Sequence, residues 1–532
     1  MEKNEVRHKK FKKFKKVKEM GRKGIERRKE EWWIGGGWME TGAALEIMEI
    51  AGELLERVHR LVWGPGLLIL MLGTGILYTG KSKGFQIFGW KVWWSETIGK
   101  GDRDSGFQTA CTALAATIGT GNIVGVATAL KAGGPGAVFW MWISALLGMM
   151  TGYAEVWLGI HYRYRNEKGR WIGGAVTYLA KGLKTPWLGA VYGFFCLLAS
   201  FGMGGMVQSN GAVETLRFTF GVPAAVGTLA VGGLTVAVLA GGKERIMRVT
   251  ERLIPLASTV YVVCAGVVIL TSYERIPMVL TEVFRYALLP RSVAGGMGGY
   301  GIRQAVRYGI ARGVFSNEAG LGSLAGLHGE AKEEKHLAVN GAGDPCGYGT
   351  EEIQGMWAIF EVFFDTIVIC TMTALVILCS SGGAAGLCAA HLDGAALAAW
   401  SFGAVCGKMG EWLIALAMLV FSFATMIAWF YLGRQTLEAM LEMVETMRRT
   451  ERIHQWYFYL YSVCIILGGL IRLEAVWELS DIWNGLMAFP NLLALFWLQR
   501  QVHFPWTASR VRDATGKPEF RFRANGKQRG KP

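Results

Sequence analysis

The stretch FQTACTALAATIGTGNIVGVATALK, residues 107–131, decides how this chain folds. It is long and apolar enough for a helix to cross a bilayer. Its middle, however, reads Gly-Thr-Gly-Asn at 119–122, with Gly125 just beyond, and glycine and asparagine are poor helix formers. The sequence therefore predicts a helix that breaks at its centre. A continuous glycine-rich helix packed closely against a neighbour would carry the same residues and is the alternative.

A broken helix inside hydrocarbon leaves backbone N–H and C=O groups without water, and this is tolerated only where the opened backbone lines a protected polar cavity. Freed N–H groups suit a carboxylate, and freed carbonyls suit a small cation. A second stretch, residues 302–327, carries Ser-Asn-Glu at 316–318 and then Gly320 and Gly322 at mid-span. Two interrupted segments in corresponding places of two halves of a membrane protein predict the binding site of a secondary transporter.

Composition indicates a polytopic α-helical membrane protein, because 52% of residues are hydrophobic and apolar runs of membrane-spanning length recur. The net charge of +15 does not indicate a nucleic-acid partner. Fourteen Lys and Arg against six Glu in residues 1–31 supply eight of these charges, and most of the rest lie in short loops and the C-terminal tail. The nine cysteines and eight histidines show no metal-site or disulfide spacing, and no catalytic motif indicates an enzyme.

Eleven membrane spans are predicted from the apolar runs. They lie near residues 58–80, 107–131, 136–160, 185–214, 223–240, 250–271, 300–328, 353–379, 411–433, 456–471 and 483–499. Lys and Arg alternate sharply between the connections. About thirty lie in 81–106, 161–184, 241–252, 329–352, 434–455 and the C-terminal tail, and about six lie in the other loops. Because cytoplasmic loops carry the excess of Lys and Arg, the N-terminus is predicted outside and the C-terminus in the cytoplasm.

Residues 1–57 are predicted to form a basic, partly disordered tail and an interfacial helix, and residues 501–532 a basic C-terminal tail. Between Met39 and Val58, apolar residues recur at helical spacing with glutamates between them, which is typical of a helix lying in the membrane interface. With this topology the basic residues 1–31 would lie outside the cell, although positively charged segments usually stay in the cytoplasm. We therefore expect the natural start at Met39, with residues 1–38 not normally made; translocation of the whole segment is the alternative.

The loop 380–410 is nearly uncharged and rich in Gly and Ala. It predicts either a short helical lid over the outer vestibule or a loose surface loop.

Four blocks of sequence strongly resemble the alanine or glycine:cation symporter family, that is, the sodium:alanine symporters. They are TALAATIGTGNIVGVATALKAGGPGAVFWMWISALLGMMTGYAEVWLGIHYR (112–163), FGMGGMVQSN (201–210), IARGVFSNEAGLGS (310–323) and FDTIVICTMTALVIL (364–378). The resemblance implies a sodium-coupled importer of small neutral amino acids, alanine and/or glycine, in the plasma membrane of a prokaryotic cell. It also implies the leucine-transporter fold: two inverted five-helix repeats, at 107–271 and 300–499, preceded by one extra helix in a transporter domain 58–500.

The resemblance implies roles for individual residues. The implied substrate-binding residues are Gly119, Thr120, Gly121, Asn122, Gln208, Asn317 and Trp429. The implied sodium-binding residues are Ala115, Thr117, Ile118, Asn122, Ser316, Asp365 and Thr425. An Asn at 122 ligates a cation without adding charge, although it could instead cap the second half-helix. A carboxylate in an apolar helix, as at Asp365, is costly and usually functional; a packing hydrogen bond is the alternative.

Four further side chains each have two possible roles. The amide of Gln208 suits either end of a zwitterion, and equally a hydrogen bond between helices. The ring of Trp429 would limit the size of the substrate side chain. Alternatively, it would only pack against neighbouring helices or lie at the membrane interface. Arg307 and Arg312 are predicted to pair with Glu318 or with carbonyls, and not to touch the substrate.

A second sodium site is implied between carbonyls near Ala115 and Ile118 and hydroxyls on the span 411–433. The family commonly has Ser-Thr there, whereas this chain has Ala-Thr at 424–425, so one hydroxyl ligand is missing. We expect sodium to depend on the remaining threonine, unless water or Ser422 supplies the second oxygen.

Three other departures leave the coupling scheme intact and the choice of amino acid open. The chain has Gly204-Gly205, Leu324-Ala325 and Ala175 where the family usually has Gly-Asn, Ala-Pro and Pro. A non-transporting amino-acid sensor on the same scaffold is the alternative function. The oligomeric state stays open, a monomer being one possibility.

Overall fold

The computed structural model describes residues 42–99, 105–288, 301–333, 338–339, 345–346, 348–443, 450–471, 473–505, 510–512 and 518–520. The chain divides into two compact units, residues 1–54 and 55–532. Of the first unit, residues 42–54 are described, and they are helical as part of helix Gly42–Val62. The predicted basic tail and most of the C-terminal tail lie outside the described residues.

The second unit is built from helices. Its α-helices are Pro65–Lys81, Phe85–Phe88, Trp90–Trp94, Ser105–Thr117, Val126–Gly133, Gly136–His161, Ala175–Thr177, Pro186–Ala199, Gln208–Phe220, Ala224–Leu239, Gly242–Thr271, Ile276–Leu288, Ile302–Asn317, Ser323–His328, Thr350–Val362, Thr371–Ser381, Ala384–Ala389, Gly394–Met443, Thr450–Leu470 and Leu473–Leu498. Ser95–Gly99, Gly121–Gly125, Tyr178–Gly182, Ser200–Val207 and Phe363–Cys370 are π-helical, and Tyr273–Arg275 is a 3-10 turn.

Short antiparallel ribbons connect some of these helices. Tyr164–Arg165 pairs with Trp171–Ile172, Ala338–Val339 with Pro345–Cys346, and Arg510–Arg512 with Pro518–Phe520. The ribbons lie between helices or after the last one, and most of the buried core of the described residues comes from the helices.

The long helical segments fall into two sets of five, and each set opens with a broken helix. The first set is 105–133, 136–161, 186–220, 224–239 and 242–271, and the second is 302–328, 350–381, 394–443, 450–470 and 473–498. Helix Pro65–Lys81 precedes both sets. The predicted fold class, an all-α polytopic membrane protein, is confirmed, and this order of helices agrees with the predicted five plus five arrangement after one extra N-terminal helix, whose exact number of membrane helices stays a prediction.

Six helices within the described residues are long and apolar enough to cross a membrane, judged by length and composition. The bent pair Gly106–Thr117 and Gly121–Gly133 makes a seventh if it counts as one span. The number of eleven spans therefore stays a prediction, while the multi-pass membrane class does not depend on it.

The first broken helix opens at residues 118–120, between Ser105–Thr117 and the π-helical turn Gly121–Gly125. The axes of its two halves differ by 48°. The break lies where the glycine pattern predicts it, because the residues of lowest helix propensity fall at mid-span.

The second broken helix opens at residues 318–322, between Ile302–Asn317 and Ser323–His328. Here the backbone enters the left-handed region at Glu318, Gly320 and Gly322, with φ angles of 59°, 95° and 80°. Two of these three positions are glycine, the residue that adopts positive φ without steric cost.

The predicted loop 380–410 is helical in the structure rather than loose. It contains helix Ala384–Ala389 and the start of Gly394–Met443, which kinks at Gly407. Lys131, from the first broken helix, donates from Nζ to the carbonyl oxygens of Leu387, at 3.0 Å, and Ala390. These bonds tie the segment to a half-helix of the first break, and its role as a lid stays a prediction.

Candidate functional site

The two breaks meet at the carboxylate of Asp365, which lies in the π-helical turn Phe363–Cys370. Asn122, from the first break, donates from Nδ2 to Oδ1 of Asp365 at 2.6 Å. Ser316, at the start of the second, donates from Oγ to Oδ2 at 2.7 Å, and Thr366 donates to the same oxygen at 2.8 Å. All four side chains are fully buried. The fold thus brings together three predicted sodium ligands that lie far apart in the chain.

This arrangement contains the oxygen atoms that a sodium ion needs. The Asp365 carboxylate supplies the negative charge, and the amide of Asn122 and the hydroxyl of Ser316 each carry an acceptor oxygen besides their donor hydrogens. Turning the Asn122 amide over would face its Oδ1 toward the carboxylate, where its Nδ2 now lies. A hard cation prefers such oxygen ligands.

Two backbone N–H groups of the first break are covered by neutral amide oxygens. Gly119 donates to Oδ1 of Asn122 at 2.9 Å, and Thr120 donates to Oε1 of Gln208 at 3.0 Å. The other end of the Gln208 amide donates to the carbonyl of Met203 at 3.1 Å. A carboxylate offers the same kind of acceptor with a full charge, and charged acceptors form the stronger hydrogen bonds. The N–H groups of this break are therefore suited to a carboxylate that displaces the amides.

Thr425 lies against the end of the first half-helix. Its Oγ1 lies 3.2 Å from the carbonyl oxygen of Ile118 and 2.9 Å from that of Phe421, on its own helix, and these two acceptors share its single hydroxyl hydrogen. The predicted neighbours of the second sodium site are therefore adjacent, although the binding of an ion there stays a prediction.

The remaining positions of that predicted sodium site are also buried. Ala115 and Ala424 are fully buried, and Thr117 donates to the carbonyl three residues earlier at 3.3 Å. Ser422 Oγ is buried and has no hydrogen-bond partner among the described residues. An unpartnered hydroxyl one turn from Thr425 is a candidate for the oxygen that Ala424 lacks.

Trp429 and Asn317 make polar contacts beside the second break. Trp429 is fully buried and donates from Nε1 to Oε1 of Glu318 at 2.8 Å. Asn317 donates from Nδ2 to Thr366 Oγ1 at 3.1 Å and accepts from the backbone of Ala319 at 3.1 Å. Both predicted substrate residues thus lie close to the breaks and are held by neighbouring groups.

The predicted pairing of the two arginines with Glu318 or with carbonyls is wrong. Arg312 donates to both carboxylate oxygens of Asp481, at 3.1 and 2.5 Å, and Nη2 of Arg307 lies 3.3 Å from Nδ1 of His59. Six residues along an α-helix correspond to about 240° of rotation, so Arg312 and Glu318 face different neighbours. That the two arginines do not touch the substrate stays a prediction.

Sequence reasoning missed the carboxylate that holds the second break. Glu155 is fully buried, and its Oε1 accepts from the backbone N–H of Gly322 at 3.0 Å and from Nδ2 of Asn491 at 2.5 Å. Asn491 also donates to the carbonyl of Gly320 at 2.9 Å. A lone carboxylate in the apolar span 136–160 is the same signal that singled out Asp365, and it could have identified Glu155.

A cavity among the described residues is lined by residues outside the two breaks. It has a volume of about 940 Å³ and is lined by Phe107, Gln108, Lys243, Arg248, Glu251 and Glu330, among others. Two polar contacts bridge its walls: Gln108 donates to Glu251 at 2.9 Å, and Lys243 forms an ion pair with Glu330. Its walls belong to segments next to loops with the excess of Lys and Arg, so it faces the predicted cytoplasmic side.

Comparisons with known proteins find relatives that are named as sodium symporters. The chain is 36% identical over 461 residues to the sodium/alanine symporter AgcS of Methanococcus maripaludis, covering 84% of this chain and 94% of that protein. It is 30% identical over 473 residues to the probable sodium/glutamine symporter GlnT of Bacillus subtilis, covering 86% and 90%.

A solved structure of a sodium-coupled sialic acid symporter shares 13% identity, covers 83% of this chain and 86% of its own, and has a TM-score of 0.49. A likeness of that size carries no information on function. The model of the sodium:alanine symporter family matches residues 48–513. The chain belongs to the sodium:alanine symporter family.

Proposed function

We propose that this protein imports a small neutral amino acid, alanine or glycine, together with sodium, by alternating access in the plasma membrane of a prokaryotic cell. Family membership supports sodium-coupled amino-acid transport in general. The proposal that a small amino acid and sodium bind together rests on one observation: both helix breaks contact the same buried carboxylate, that of Asp365. A cation bound there would stabilise both breaks at once, because each contributes a ligand to the same charge.

The substrate carboxylate binds the N–H groups of Gly119 and Thr120 in this proposal. It replaces the amide oxygens of Asn122 and Gln208, which now accept from these groups. The displaced Asn122 amide is then free to turn its oxygen toward sodium beside Asp365. Binding of the amino acid and of the cation is thereby linked through one side chain.

The limited space around the break and the neighbouring Trp429 supports a substrate with a small side chain. A Cβ placed on Gly121 would lie 3.3 Å from a ring carbon of Phe315, and one placed on Gly204 would lie 2.3 Å from Cβ of Trp429. Both rings belong to buried side chains, so little room is left around them. A relative's name mentions glutamine, and a longer side chain of that kind would require these rings to move.

The cavity on the predicted cytoplasmic side is the proposed exit route. Phe107 and Gln108, on the first half-helix of the first break, form part of its wall. Release toward the cytoplasm would require this half-helix to swing away from helix Gly242–Thr271, which breaks the contact between Gln108 and Glu251. The orientation follows the positive-inside rule, with the N-terminus outside and the C-terminus in the cytoplasm.

The test is uptake of labelled alanine and glycine into liposomes that contain the purified protein. We expect uptake to require an inward sodium gradient and unlabelled alanine or glycine to compete better than unlabelled glutamine. Uptake that ignored the sodium gradient would exclude sodium coupling, and stronger competition by glutamine would overturn the proposed substrate. Binding of alanine without any uptake or exchange would favour the sensor instead.

A further inference from the structure

A second buried titratable cluster lies one helical turn from the predicted sodium site. Nδ1 of His328 is 2.7 Å from Oε1 of Gln354, and Nε2 of His328 is 3.1 Å from each carboxylate oxygen of Glu361. All three side chains are fully buried. None of them belongs to the predicted substrate or sodium residues, so their chemistry is not used by the proposed transport site.

The contacts of His328 suit a proton that can be gained and lost. Both ring nitrogens lie beside polar groups that accept hydrogen bonds, and one of those groups is a carboxylate. A neutral imidazole donates from one nitrogen, whereas a protonated one donates from both. Gln354 can serve either form, since its amide donates with one end and accepts with the other. One added proton changes the net charge of the histidine and carboxylate from −1 to zero.

Nearby titratable groups have partners of their own. On the second break, Glu318 accepts from Trp429, and on helix Gly136–His161, Glu155 accepts from the second break and Tyr153 donates to a backbone carbonyl. The helices Ser105–Thr117 and Gly394–Met443 also pack against this region and carry Cys111 and Tyr431. Among the described residues, His328 is the ion-pair partner of Glu361.

The position of the cluster couples it to the transport site. Glu361 lies four residues before Asp365 along one continuous helical segment, and His328 ends the half-helix that follows the second break. Four residues correspond to about 6 Å of helix rise. At that separation, and at an effective dielectric constant of about 20, one unit of charge changes the affinity of a cation by roughly tenfold or more.

The wall of the 940 Å³ cavity and the cluster are close together along the chain. Glu330, two residues after His328, lines the cavity on the predicted cytoplasmic side. The backbone N–H of Ala331 bonds to the carbonyl of His328 at 2.9 Å, so the cavity wall and the cluster belong to one short turn.

We propose that His328, Gln354 and Glu361 form a proton-binding site whose occupancy opposes sodium binding around Asp365. The inference rests on the proposed sodium-coupled function and adds a second ion to it. With the proton bound, the cluster is neutral and sodium binds more weakly. With the proton lost, the cluster carries one negative charge and sodium binds more tightly.

The first test measures the half-saturating sodium concentration for alanine uptake at several pH values. In the unmodified protein we expect this concentration to rise roughly tenfold as the pH falls across the range in which the cluster gains its proton. Glu361→Gln removes the charge but keeps a hydrogen-bonding group of the same size, so its sodium requirement should be high and independent of pH. Glu352→Gln, on the same helix, is the matched control and should behave like the unmodified protein.

The second test does not depend on transport. Because linkage is reciprocal, adding sodium should release protons from purified protein in weakly buffered solution, up to about one per molecule. Glu361→Gln and His328→Gln should release none. If the unmodified protein shows uptake but neither a pH-dependent sodium requirement nor proton release, the proton site is wrong while the proposed function stands. If it takes up no amino acid at any sodium concentration, the proposed function fails first.

Discussion

The two helix breaks use glycine for different reasons. At Gly119, in the first break, a Cβ would lie 2.6 Å from Oγ1 of Thr425 and 2.8 Å from Oε1 of Gln208, so glycine is needed for close approach. At Gly320, in the second break, the nearest atom to a Cβ is 3.4 Å away, but the φ angle of 95° is one that side chains disfavour. Gly119 thus depends on space and Gly320 on backbone conformation, while Gly322 of the second break combines a φ angle of 80° with a Cβ position 2.8 Å from the hydroxyl of Tyr192.

The two breaks also differ in the groups that hold them. Neutral amides from Asn122 and Gln208 cover the N–H groups of the first break, whereas the carboxylate of Glu155 binds the second. Charge-assisted hydrogen bonds are the stronger kind. The difference suggests that the first break exchanges partners during transport and that the second is held in place.

The largest expected effect comes from the residue that joins the breaks. Asp365→Asn should reduce sodium-driven uptake by at least a hundredfold, because it removes the charge that a cation would neutralise while keeping the size of the side chain. The measurement is initial uptake in proteoliposomes at equal protein content. Glu352→Gln controls for the loss of a carboxylate elsewhere on the same helix, and uptake at the normal rate by Asp365→Asn would contradict the sodium assignment.

The next largest loss of uptake is expected from a substitution at a glycine of the first break. Gly119→Ala should lower uptake roughly five- to a hundredfold, since the new methyl group must displace Thr425 and Gln208, and overpacking of this kind costs about 1–3 kcal/mol. Uptake and thermal stability should be measured together on the purified variant.

Gly320→Ala is the matched comparison from the other break. It should retain uptake but lower the thermal midpoint, because an alanine at positive φ costs on the order of 1 kcal/mol. If Gly119→Ala were active and Gly320→Ala inactive, the assigned roles of the two breaks would have to be exchanged.

Thr425→Ala tests whether the end of the first half-helix binds an ion. Loss of one hydroxyl ligand is worth on the order of 1–3 kcal/mol, so the half-saturating sodium concentration should rise roughly five- to a hundredfold. Thr425→Ser keeps the hydroxyl that now bonds to Ile118 and should stay close to the original value. An unchanged sodium requirement in the alanine variant would mean that coupling runs through the Asp365 site without this position.

Ala424→Ser has the smallest predicted effect. It adds the oxygen that the family commonly has, and should lower the half-saturating sodium concentration by roughly two- to tenfold. Ser422→Ala in the same background distinguishes the two hydroxyls, since Ser422 is a buried side chain without a hydrogen-bond partner among the described residues. A higher sodium requirement in Ala424→Ser would indicate that the buried position has no room for the oxygen.

Local features of the sequence were enough to predict the membrane class and the two breaks. Apolar length, glycine position and the cost of a carboxylate in an apolar helix are properties of short segments, and they singled out Asp365. The roles expected of Asn122 and Ser316 came instead from the resemblance to the family. Glu155 and Glu361 are also carboxylates in apolar helices, but this property does not indicate which residue each of them binds.

Choice of partner depended on which helix faces meet in the folded protein. Arg312 binds Asp481, 169 residues away, and Glu155 holds Gly322 across 167 residues, while Glu318 meets Trp429 rather than the nearby arginines. A periodic pattern shows that a residue lies on a buried face, but the opposing face comes from another part of the chain. Packing of distant helices therefore set the contacts of the candidate site, because buried polar groups bond to whichever partner the packing brings within reach.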